Sequence, residues 1–117
     1  MKTILAALAI IMSTTAFAKD LSCVNNGKKI LVSINEKSQA ISISTEAQII
    51  SFKIYDKKKY QVEQGNVVSY SVKDGRDSNG SVLSGEIATL NNNMVAMNIL
   101  NDSLGKTVIS IDGMKCK

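Results

Sequence analysis

The sequence predicts an all-β fold: a small antiparallel meander β-barrel, or a two-sheet sandwich, of about 7–9 strands closed by one disulfide. Three observations carry this. Apolar and polar residues alternate with period two in run after run from Ile30 onward, as in strands with one face in a core and one in water. Turn residues return roughly every 8–12 residues, too closely for parallel crossovers. The two cysteines, Cys23 and Cys116, stand near opposite ends of the chain.

The runs follow one another simply. Ile30, Val32 and Ile34 alternate with Leu31, Ser33 and Asn35; Ile41 and Ile43 alternate with serines; Ile50, Phe52 and Ile54 alternate with Ser51 and Lys53. Val68, Tyr70 and Val72 come next, then Val95, Met97 and Ile99, then Ile109 and Ile111. Between them stand turn signals at Asn26-Gly27, Glu36-Lys37-Ser38, Asp56 to Lys59, Gln64-Gly65-Asn66, Asp74 to Gly80, Asn91 to Asn93, Asn101 to Gly105 and Asp112-Gly113. Ser81 to Leu100 is long enough for a helix, but Gly85 and the three asparagines divide it into two strands and a turn. There is no tryptophan, so the core is aliphatic, with few rigid aromatic walls for a ligand pocket.

The N-terminus reads as an export signal. Lys2 is the charged start, Ile4 to Met12 the apolar run, and Ala16-Phe17-Ala18 the small-x-small cleavage site. That run is shorter than the roughly 20 residues needed to span a bilayer. Residues 1–18 are therefore expected to be a cleaved signal peptide, and 19–117 a single β-barrel domain in the periplasm or secreted. Asp20, three places before Cys23, argues against lipidation. In an oxidising compartment a Cys23–Cys116 bridge is expected, tying first strand to last as a barrel requires.

Composition narrows function. The whole chain has 14 basic and 10 acidic residues, net +4, too mild to argue for nucleic acid. It has no histidine, the commonest general base and metal ligand. The acidic residues are scattered, and there is no nucleophile elbow or phosphate-cradling glycine loop. The expectation is a non-enzyme with no cofactor and no metal.

One segment resembles a metal loop. From Gly75 on, "GRDSNGSVLSGE" fits a calcium-loop pattern at Asp77, Asn79, Gly80 and Glu86. Its first position is a glycine rather than a carboxylate, and its flanks alternate like strands where the motif requires helices. It is read as a turn, with Asp74-Gly75 and Asn79-Gly80 as turn dipeptides. The triplets Asn79-Gly80-Ser81 and Asn101-Asp102-Ser103 are read as exposed turns too.

The best binding candidate is "FKIYDKKKYQ": Lys53, Tyr55, Lys57, Lys58, Lys59 and Tyr60, with the three consecutive lysines forming a hairpin tip. Lysines beside aromatics can grip an anionic polymer or an acidic groove on a protein; equally, lysines keep a sheet edge from pairing with a neighbour. The expected function is binding another envelope or extracellular macromolecule, as a monomer or small oligomer. The alternative is a structural or assembly component of the cell envelope without a discrete site.

The layout also resembles the small periplasmic inhibitors of C-type lysozyme. "LSC" opens the first strand, the strands form an antiparallel barrel, and the last strand ends in a cysteine. Of that family's Ser-Gly-x-x-Tyr motif, Ser84-Gly85 is present and Ala88 stands in place of the tyrosine. The resemblance implies a lysozyme-inhibitor-like function as a further alternative.

Overall fold

The computed structural model describes residues 18–117; the expected signal peptide, but for Ala18, lies outside the described residues. Eight strands follow in order: β1 (Ala18–Asn25), β2 (Lys28–Asn35), β3 (Ala40–Ser44), β4 (Ile49–Val62), β5 (Gly65–Arg76), β6 (Val82–Leu90), β7 (Met94–Asn101) and β8 (Lys106–Cys116). Each pairs antiparallel with the next, and β8 returns to β1, closing a barrel with no crossover. The barrel, rather than the sandwich, is the architecture. No helix among the described residues is long and apolar enough to cross a membrane.

The period-two rows become the interior. Val32, Ile34, Ile41, Ile43, Ile50, Phe52, Tyr70, Val72, Ile87, Val95, Met97 and Ile99 are buried together, with Ile30, Ile54, Val68 and Ile109 packed against them. Cross-strand partners share a face, so the pairs Leu21↔Val32, Val32↔Ile43, Ile43↔Ile50, Ile87↔Met97 and Ile99↔Ile109 stack the core in layers. Burying each such side chain is worth about 1.5–3 kcal/mol.

Bulges bend the longer strands. In β4 an extra residue, Tyr55, sits between the pairs Ile54↔Val72 and Asp56↔Ser71. In β5 the register against β6 shifts between Val72 and Gly75, where Asp74 takes a left-handed φ of 59°. Gly75 then lies directly under the Phe52 ring, and a Cβ there would overlap it. The expected turn at Asp74 to Gly80 is thus shorter than its residue types suggest. Asp74-Gly75 is a bulge within β5, and only Asp77 to Gly80 turns the chain.

The disulfide joins Cys23 to Cys116, register partners at the β1–β8 seam. That seam has only two paired positions, Cys23↔Cys116 and Val24↔Lys115, supplemented by reciprocal backbone bonds between Ser22 and Lys117. The covalent link sits where the ladder is shortest.

Asn101 corrects the reading of its triplet as exposed. It is 7% exposed, and its Oδ1 accepts the backbone N–H groups of Ser103 and Leu104. The side chain is consumed in folding the β7–β8 turn.

Candidate functional site

The six residues expected to bind do not form a hairpin tip. Lys57, Lys58 and Lys59 lie inside β4, paired with Tyr70, Ser69 and Val68 of β5, and the chain reverses at Glu63-Gln64. The expected turn at Asp56 to Lys59 is therefore wrong. A charged run resembles turn chemistry, but cross-strand packing decides strand membership more strongly than propensity does. β3 pairs with β4 only over Ile49 to Lys53. Among the described residues, Tyr55 to Val62 of β4 is laddered to β5 alone, so these lysines line a sheet margin, as edge protection requires.

The Tyr55 bulge sorts the six residues onto two faces. Before it, Ile50 and Phe52 point inward and Lys53 outward; after it, the parity reverses. Lys57 shares a face with Tyr70, which is 2% exposed, and Lys59 shares one with Val68. Lys58 and Tyr60 stay outside, opposite Ser69 and Val67.

On the outer face Lys53 is the direct partner of Lys73. Two like charges so placed repel across the ladder. The ring of Tyr55 relieves part of this, with the Lys73 Nζ 5.5 Å from its centroid. Tyr55 is 61% exposed and Tyr60 51%. The outer face is a row of cations and accessible phenol rings, interrupted by Asp56, whose Oδ1 accepts its neighbour's Lys57 N–H at 2.9 Å.

On the inner face the apolar rows end in charge at one mouth of the barrel. Lys19 shares a face with Ile34 through their pairing on β1 and β2, and Glu36 follows β2. The Lys57 ammonium bonds one carboxylate oxygen of Glu36, and the Tyr70 hydroxyl donates to the other at 3.1 Å. The Lys57 bond holds Glu36 below the usual carboxylate value, outweighing partial burial; the Tyr70 bond lowers it further. Burial, then the negative charge of Glu36, pushes the Tyr70 hydroxyl well above its ordinary value.

These shifts fix the pH dependence. Glu36, depressed on folding, contributes stability that is present above the unfolded carboxylate range and lost as pH falls through its folded value. Tyr70, raised on folding, contributes stability that is present below about pH 10 and lost as pH climbs above it toward the folded value. Urea midpoints measured across pH 3–5 should show a shallower acid decline in Glu36→Gln. Across pH 9–11, Tyr70→Phe should lack the alkaline decline of the parent protein.

The calcium-like segment is occupied by its own backbone. Asp77 Oδ1 accepts the Asn79 and Ser81 N–H groups, each at 2.9 Å. Glu86 is exposed on β6, paired with Ser71 and Asn98. Among the described residues no three His, Cys, Asp or Glu side chains group to hold a metal. Ser84 and Gly85 also lie within β6. Ser84 Oγ donates to Asp102 Oδ1, and a Cβ at Gly85 would collide with the Asn98 carbonyl of β7. Packing alone requires that glycine.

The chain matches no family model, no curated protein and no solved structure.

Three contributors were not among the expected site residues. Lys73 joins the outer face, and Glu36 and Tyr70 organise the inner one. Glu36 was legible, because it extends the inward row Ile30, Val32, Ile34 by one more step of two. Lys73 and the inward turn of Lys57 were not, because both depend on bulges that leave no periodic signal.

Proposed function

We propose that this is an exported, non-catalytic binding protein whose outer β4–β5 face recognises a macromolecule of the envelope or exterior bearing a row of carboxylates. The observation that carries the reading is the Lys53↔Lys73 pair. Among the described residues the only ion pair is Lys57–Glu36, so these two cations face each other without a carboxylate to separate them. An anionic partner would relieve that repulsion, and Tyr55 and Tyr60 would add contact area beside it. Export to the periplasm or medium is supported by the Cys23–Cys116 bridge, a feature of oxidising compartments.

Retention on immobilised polyglutamate at low salt is the test. The oxidised protein should be retained and should elute as ionic strength shortens the Debye length. Lys53→Glu with Lys73→Glu should weaken binding at least about tenfold, roughly 1.4 kcal/mol. Equal retention of parent and variant would rule this surface out. Co-fractionation with envelope that is indifferent to salt would favour a structural component instead.

A further inference from the structure

The opposite face of the same hairpin supplies a separate site. We propose that the barrel mouth below Tyr70 binds a small hydroxylated carboxylate, about the size of one uronic acid ring.

The argument begins with space. A cleft of about 420 Å³ opens there, bordered by Lys19, Glu36, Lys59, Gln61, Asn66 and Asn92. Ligand sites run from roughly 300 to 1,000 Å³, so a single sugar ring fits. Val68, which shares the inward face with Lys59, lends the cleft an apolar side.

Charge selects the ligand's sign. The inward rows bring three lysines to this mouth, Lys19, Lys57 and Lys59, against one carboxylate, Glu36. Both oxygens of Glu36 are already engaged, one by Lys57 and the other by Tyr70. No other carboxylate borders the cleft. Three lysine charges thus stand against one carboxylate, and Lys59 makes no ion pair among the described residues. Lys19 is aimed rather than free, since its Nζ donates to Asn92 Oδ1 at 3.0 Å; an ammonium has two further donors to offer.

The neutral groups select what surrounds the anion. Gln61 and Asn66 are register partners in the inward parity of the hairpin. Their amides, with that of Asn92, can each donate and accept, which suits hydroxyl groups. Asn91 holds this margin in shape: its Oδ1 accepts the Asn66 N–H at 2.9 Å and its Nδ2 donates to the Gln64 carbonyl at 3.0 Å. A Cβ on Gly65 would strike that Asn91 side chain. The cleft wall is thus pinned to the β6–β7 turn rather than hanging loose. A metal cation is disfavoured by the net positive charge, and a lipid tail by the polar rim.

The test is amide NMR titration of the oxidised protein with sodium glucuronate, using glucose and inorganic phosphate as comparators. Glucuronate should give saturable shifts at Asn66 and Asn92 that glucose does not produce and that phosphate does not displace at equal concentration. Lys59→Gln and Lys19→Gln should each weaken the glucuronate response about tenfold, with urea midpoints confirming that both are folded. Lys58→Gln, on the outer face, should leave it unchanged, so failure here is separable from failure of the polyglutamate surface. No saturable shift, an equal response to glucose, displacement by phosphate, or insensitivity to both lysine variants would each overturn the proposal.

Discussion

Reduction of the disulfide, or replacement of both cysteines by Cys23→Ser with Cys116→Ser, should cost about 4–5 kcal/mol of unfolding free energy. The bridge spans a sequence separation of 93 residues, nearly the whole barrel. Freeing it restores to the unfolded chain almost all the entropy that a crosslink can remove. Position adds to length. The β1–β8 ladder has only two paired positions, so little else holds the first strand to the last. Urea titration with and without reductant checks this, because the midpoint reports stability so long as the slope is unchanged. A loss below about 1 kcal/mol would mean that the seam closes without its covalent link.

Phe52→Ala should be the most damaging single core substitution, at about 3–5 kcal/mol. Phe52 is buried on β4 and its ring fills the space over Gly75. Truncation leaves a void bordered by a residue that has no side chain to move into it. The reciprocal change tests the same contact from the other side. Gly75→Val would drive two methyl groups into the ring, at about 1–3 kcal/mol or more. Thermal or urea unfolding of the two variants checks both. If the double variant Phe52→Ala with Gly75→Val recovers part of the loss, the ring and the glycine are one packing unit; simple additivity would deny it.

The fold was largely legible because it rests on local rules that were obeyed. Val32 and Ile34, or Val95, Met97 and Ile99, announce their inward face by spacing alone and are buried as expected, with Ile30 partly buried beside them. Asn91 to Asn93 turn the chain where turn chemistry placed them, whereas the turn expected at Gln64-Gly65-Asn66 falls one residue earlier, at Glu63-Gln64. The cysteines pair as a closed meander requires.

The candidate site was less legible, for one physical reason. A bulge changes which face a residue serves without changing the residues themselves. Tyr55 looks like any strand tyrosine, yet inserting it sends Lys57 and Lys59 inward and leaves Lys58 and Tyr60 outside. What read as one cluster of lysines is two surfaces with different chemistry. One is a repelling outer pair beside exposed phenols. The other is a mouth where three lysines meet one carboxylate, Glu36, which pairs with Lys57. Asp74-Gly75 misled for the same reason, since a dipeptide suited to a turn serves a bulge equally well.

The most direct measurement of the binding reading is a map of where polyglutamate touches the oxidised protein. Amide and lysine side-chain NMR signals followed at low ionic strength should move at Lys53, Tyr55, Lys58 and Lys73, and return as salt is added. Shifts scattered evenly over all the lysines, or confined to the far side of the barrel, would contradict the account.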